Sequence, residues 1–176
     1  MSTITTNLNK FVISNINYQF RNDVSDIKKL IPDISHEDLE EHDFNSKVIQ
    51  DNSIKLATHR DLDELFVELD IRVKEEIDLS DFTREELSFI VKSIDLSVRF
   101  YFDINLDENL KSYEKNEEFI EFVRETIMEK VVDISINQSI DIIKRLSSLD
   151  HSEVLELSFP KSKYENVNYL IEPSSK

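Results

Sequence analysis

The chain has 176 residues, a formal net charge of -16, and no glycine, cysteine or tryptophan. At a usual share of roughly 7%, about a dozen glycines would be expected; with none there is no P-loop, dinucleotide-binding fingerprint or nucleophile elbow, each of which needs a backbone position free of a Cβ. Without cysteine, thiolate catalysis, CxxC redox chemistry, thiolate-held zinc or iron–sulfur clusters and disulfides are excluded as well.

Along the chain, residues 1–9 are polar and read as a frayed start. Phe11 and Ile13, then Ile16, Tyr18 and Phe20, alternate in two phases, which predicts a strand with a bulge or two short strands. Residues 35–43, around and after Pro32, form a charged loop or short helix. Val48-Ile49 and Ile54-Lys55-Leu56 are short strand candidates. Thr58-His59-Arg60-Asp61 has the form of a helix start, and Leu62, Leu65, Phe66 and Leu69 follow at helical spacing. Leu69, Ile71 and Val73 switch the period to two, so a strand follows. Ser80-Asp81 caps a second short helix carrying Leu87, Ile90 and Val91.

The clearest pattern comes next. Ile94, Leu96, Val98, Phe100, Phe102 and Ile104 alternate with Asp95, Ser97, Arg99, Tyr101 and Asp103, as in a strand buried on one face. Asn116 then caps a long helix whose first turn holds Glu117 and Glu118 at the positive end of the dipole. A second helix starts near Asn137 with Ile140, Ile143 and Leu146. Leu155, Leu157 and Phe159, and later Val167, Tyr169 and Ile171, alternate as late strands; residues 172–176 are a tail. The expected fold is α+β in a single domain over residues 1–176, with a mixed or antiparallel sheet covered on one face by a C-terminal helix pair.

Few residues point to chemistry. His36 and His42 stand six apart among carboxylates, without the HExxH spacing of a zinc helix. Residues 103–114 place Asp103, Asn105, Asp107, Asn109 and Glu114 in calcium-loop order, but Glu108 stands where glycine makes the sharp turn and Lys111 where an oxygen is needed. With 37 acidic residues, carboxylate pairs arise by chance. No catalytic residue, metal ligand or cofactor is therefore assigned, and the chain is expected not to be an enzyme. The acidic charge repels phosphate backbones and anionic lipid, so neither nucleic acid nor membrane is an expected direct partner. No stretch reaches transmembrane length, and residues 1–15 lack a cationic start followed by an apolar run, so a cytoplasmic location is expected. Phe119, Ile120, Phe122, Val123 and Ile127 line one side of the long helix; they suit the core, or an interface with a protein partner.

The order of elements resembles the small sheath subunit of type VI secretion systems. Ile16-Asn17-Tyr18 resembles that family's first strand, and residues 61–69 running into Ile71-Arg72-Val73 resemble its helix-to-strand step. Leu96-Ser97-Val98-Arg99-Phe100-Tyr101-Phe102 is similar to its central strand, and residues 117–122 and 136–149 to its helix pair. The family's strand ending in valine-glycine-aspartate has no counterpart, residues 27–35 standing in its place. The resemblance implies a structural subunit that forms a hetero-oligomer with a larger sheath subunit, completing open sheet edges between neighbours. The alternative is an acidic inhibitor or immunity protein, phage or bacterial, that blocks a basic target protein by imitating nucleic acid or masking a nuclease.

Overall fold

A computed structural model describes residues 3–21, 24–35, 37, 45–59, 61–83, 86–149 and 168–172. In chain order the elements are β1 (Ile4–Phe20), α1 (Val24–Leu30), β2 (Ser46–His59), β3 (Glu64–Asp78), a 3-10 turn (Ser80–Phe82), β4 (Ser88–Leu106), α2 (Glu108–Lys111), α3 (Glu117–Ser147) and β5 (Asn168–Glu172). The strands form one sheet in the order β1-β4-β3-β2-β5. Its first four members are antiparallel, and β5 joins β2 in parallel, with Lys55 opposite Asn168 and His59 opposite Glu172. The class is therefore α+β, as the alternation of residues 94–104 and the capped helix imply. Among the described residues no helix is long and apolar enough to cross a membrane.

Contacts divide the chain into two compact units. The first holds Met1–Ile16, Asn52–Asp70 and Leu96–Lys176. Its core is the row Leu96, Val98, Phe100 and Phe102 of β4 and Leu65, Val67 and Leu69 of β3, all essentially inaccessible, beneath Ile120, Val123, Ile127, Val131 and Val132 of α3. At 1.5 Å per residue α3 is about 46 Å long. Asn116 starts it, its side-chain oxygen accepting from the Phe119 amide at 2.9 Å. The expected second helix is the continuation of this one to Ser147. Ser135 and Ser139 are buried there, and each hydroxyl donates to the carbonyl four residues back at 2.8 Å, so polar residues sit in the apolar face without breaking it. Arg124 is also buried, donating to Glu121 at 3.0 Å and to the Leu56 carbonyl of β2 at 3.4 Å.

The second unit comprises Asn17–Asp51 and Ile71–Asp95. Ile31, Ile34, Leu79 and Phe89 form its centre, with Ile27, Ile77, Phe82, Leu87 and Val91 packed around them. The Leu79 amide donates to the Leu87 carbonyl at 2.8 Å, closing the β3–β4 connection. Asp78 anchors the turn, accepting from the Ser80 amide at 2.8 Å and the Ser80 hydroxyl at 2.5 Å. These bonds hold its carboxyl below the usual carboxylate range, the hydroxyl contributing most.

Several expectations are corrected. The helix over residues 62–69 does not form: β2 ends at His59 and β3 begins at Glu64. Leu65, Phe66, Val67 and Leu69 are all buried, so the helical spacing of Leu62, Leu65, Phe66 and Leu69 is that of a strand covered on both faces. The turn between them passes through Leu62 at φ 54, a left-handed conformation glycine would normally take. The second short helix shrinks to the 3-10 turn, and Ile90 and Val91 belong to β4. The candidates at 48–49 and 54–56 are one strand, and pairing begins at Ile4 within the stretch expected to fray. Tyr169 and Ile171 do lie in a strand; the candidate at 155–159 and nearly all of residues 35–43 lie outside the described residues.

Candidate functional site

Among the described residues of the first unit, two groups of exposed apolar side chains stand out. One is β1, at the end of the strand order. Phe11, Val12, Ile13 and Ile16 are 45%, 48%, 40% and 46% exposed. An edge strand with open backbone groups and apolar side chains is a template for another chain, and natural edges are usually blunted by charge, proline or brevity. This one is 17 residues long and carries one lysine, Lys10, beside the apolar run.

The phase of β1 explains why both sides of the strand show apolar groups. Asn9 donates to Asp103 at 3.0 Å and the Lys10 ammonium lies 4.7 Å above the Tyr101 ring, so consecutive residues reach the same face of β4. Phe11 then turns to Phe100 on the other face, ring centroids 5.7 Å apart. Farther on Asn17 meets Asp95 and Phe20 lies by Lys92, so the original phase is restored. β1 is a single continuous strand, Ile4–Phe20, and not two short ones.

The second surface lies where α3 begins. Tyr113 and Phe119 stack at 5.6 Å and 10°, and Phe119 contacts Phe122 at 6.4 Å. Tyr113 is 61% and Phe122 51% exposed. Of the five interface candidates on the helix, Ile120, Val123 and Ile127 are buried in the chain's own core, Phe119 is half-buried, and Phe122 faces outward. The sheet takes the first three because they repeat at three- and four-residue spacing, which leaves Phe122 off that stripe. Tyr113 lies outside the interface residues expected from the sequence; an aromatic residue three positions before a helix cap is the signal that marks it.

On the face of the sheet opposite α3, charge is locally neutralised. Arg99 binds Glu68 through two guanidinium nitrogens, one at 2.9 Å, and its guanidinium carbon lies 4.5 Å from the Phe66 ring. The bond to Glu68 raises the Arg99 pKa further. Ser97 and Ser53 donate to the two carboxylate oxygens of Asp70 at 2.5 and 3.4 Å. Lys55 lies over the same Phe66 ring. These side chains shield Phe66 and satisfy one another, leaving a structural layer.

The calcium-loop pattern does not assemble. Asp103 and Asn105 are strand residues, and Asp107 is the cap of α2, accepting from the Leu110 amide at 2.9 Å and the Thr3 amide at 2.6 Å. Those bonds, Thr3 first, hold the Asp107 carboxyl below its ordinary range. Among the described residues no group of three or more metal-ligating side chains comes together. His59 lies 3.8 Å from Glu64; His36, His42 and His151 fall outside the described residues. In the second unit a shallow groove of about 650 Å³ is lined by Arg21, Asp26, Lys29, Leu30, Phe89 and Ile90, and the Lys29 ammonium meets Asp26 at 2.5 Å within it.

The chain matches no protein-family model and no curated protein sequence. Among solved structures it is similar to a SecB-like chaperone of Mycobacterium tuberculosis, solved in complex with a ChAD peptide from the HigA1 antitoxin. The two are 9% identical, the match covers 89% of this chain and 91% of that one, and the TM-score is 0.48. The expected likeness to the type VI sheath subunit is corrected. The elements that carried it differ too, since residues 61–69 lie in a turn and a strand and the helix pair is one helix.

Proposed function

We propose that this chain is a cytoplasmic, non-enzymatic protein-binding protein that works as a subunit of a larger assembly. The observation that carries the reading is the apolar run Phe11–Val12–Ile13–Ile16 on an edge strand, which holds four of the ten exposed large apolar side chains among the described residues. The exposed aromatic residues Tyr113 and Phe122 support it, because aromatic groups anchor interfaces with little loss of side-chain freedom.

The partner's chemistry follows from charge. The chain has a formal net charge of -16, and two of its basic side chains, Lys92 and Arg124, are drawn inward, so the surface is acidic. A partner offering apolar side chains bordered by lysine or arginine would complement it, with fast and salt-sensitive association. An acidic inhibitor of a basic protein remains the second form of the same reading, favoured by that inward draw of basic groups.

The test is affinity capture from the native host, comparing the wild-type chain with a Phe11→Ser/Ile13→Ser variant and with a Tyr113→Ser/Phe122→Ser variant. A partner retained by the wild type should be lost with at least one variant and weakened by salt. Identical capture by all three would refute the reading.

A further inference from the structure

β1 is set apart by the charge it lacks. The chain carries 37 acidic residues, yet none falls before Asp23, and the only charged side chain within β1 is Lys10. A net charge of -16 makes copies of this chain repel one another, and this edge is where the repulsion is least. Every residue from Asn9 to Ile16 is exposed, and no described strand pairs with the side of β1 that faces away from β4. The strand is also symmetric in sequence about Val12. Counting outward in both directions, Phe11 answers to Ile13, Asn9 to Asn15 and Leu8 to Ile16. The sequence continues in the same way, Asn7 answering to Asn17 and Ile4 to Phe20. The changes of phase along β1 flank the same centre, one between Asn9 and Phe11, the other between Phe11 and Asn17. A partner of unrelated sequence places no such demand on the strand. A second copy does, because an isologous contact sets the same segment against itself in reverse.

We propose that the Leu8–Ile16 edge pairs antiparallel with the same edge of a second copy, Val12 lying opposite its own counterpart; this rests on the reading of β1 as an interface and names its partner. In that register apolar side chains meet apolar ones at Val12, at Phe11 with Ile13 and at Leu8 with Ile16, while Asn9 meets Asn15. Centring the pair one residue earlier, on Phe11, would set Asn9 against Ile13 and Leu8 against Ser14 and lose the match. Lys10 lies opposite Ser14 of the second copy. The two lysines are then four residues apart, about 14 Å along the strands, beyond the screening length of about 8 Å at physiological salt. The pairing satisfies the open backbone groups of both edges and covers the exposed apolar run with its own kind.

Because the chain has no cysteine, one introduced thiol reads the register. Val12→Cys sets two Cα atoms about 4.5 to 5.5 Å apart across the two-fold axis, within disulfide reach, whereas Lys10→Cys leaves them about 14 Å apart. Under mild oxidation the full-length Val12→Cys chain should form a covalent dimer at least tenfold faster than Lys10→Cys. Equal rates overturn the proposal. The wild-type chain, 20.8 kDa as a monomer, should sediment at twice that mass at about 100 µM, where a pair of micromolar affinity is assembled. Val12→Lys and Val12→Glu should each sediment as monomers and recover the dimer when mixed, since only a two-fold at this residue sets the new charges against each other. A wild type that stays monomeric overturns the proposal, as does a Val12→Lys chain that stays dimeric, being joined elsewhere. Val12 is 48% exposed; should the charged variants still fail to fold, the cysteine pair decides. A monomeric wild type that loses a host partner on Phe11→Ser/Ile13→Ser refutes the second copy and leaves the β1 interface standing.

Discussion

Shortening Ile127 to alanine tests the orientation of α3 most directly. Its side chain is 3% exposed in the row beneath which the β3 and β4 core lies, so the substitution removes buried carbon and leaves a cavity, at about 3 kcal/mol. Val123→Ala, with two fewer methyl groups at a site of zero exposure, should cost about 2 kcal/mol. Phe122→Ala deletes a larger side chain, but one that is half exposed and touches Phe119; about 0.5 to 1 kcal/mol is expected. With a urea slope of about 2 kcal/mol per molar for a chain of this size, Ile127→Ala should lower the unfolding midpoint by about 1.5 M and Phe122→Ala by about 0.5 M or less. Equilibrium unfolding followed by circular dichroism and by tyrosine fluorescence gives both numbers. If Phe122→Ala lowers the midpoint as far as Ile127→Ala, the helix docks through a different face and the outward placement of Phe122 is wrong.

Asn116→Ala should cost about 1 kcal/mol, because it removes the acceptor for the Phe119 amide; the same urea titration checks it. Asp107 is held below its ordinary range in the folded chain, so its contribution is present above about pH 3.9 and is lost as the pH falls from there through the lowered folded value. Asp107→Asn should flatten that acid limb of the stability profile while leaving stability at pH 7 much less changed, since asparagine also caps helices. A double-mutant cycle on Arg99 and Glu68 should return a coupling of about 0.5 to 1 kcal/mol that shrinks in high salt, the pair being partly exposed. Calcium added in millimolar amounts should leave the melting temperature unchanged, because Asp107 already spends its oxygens on two backbone amides.

The parts of this fold legible beforehand are those where one face meets water. The alternation of residues 94–104 and the Asn116 cap translate directly into β4 and the start of α3. Residues 62–69 mislead because Phe66, on the face opposite α3, is covered by Lys55 and Arg99, which erases the two-residue period. The helix does not break near Asn137 because Ser135 and Ser139 bond to their own backbone and the apolar stripe runs past them to Ile143. For the site, Phe119 and Phe122 stand in the sequence among the five expected interface residues. Burial of Ile120, Val123 and Ile127 depends on which stripe the sheet takes, and exposure of β1 depends on where that strand falls in the sheet order, neither of which is a local property.

The turn at Leu62 has a consequence for the unfolded state. A chain without glycine has fewer backbone conformations to lose on folding, each glycine replaced being worth about 0.4 to 1 kcal/mol where the native conformation allows it. Among the described non-glycine residues only Leu62 takes a positive φ, so almost the whole described backbone gains from that restriction without strain. Leu62 bears the opposing cost, about 1 to 2 kcal/mol for a left-handed leucine, offset by a side chain only 2% exposed. Glycine there would relax the turn and empty the pocket together, so the bend and the core are secured by one residue.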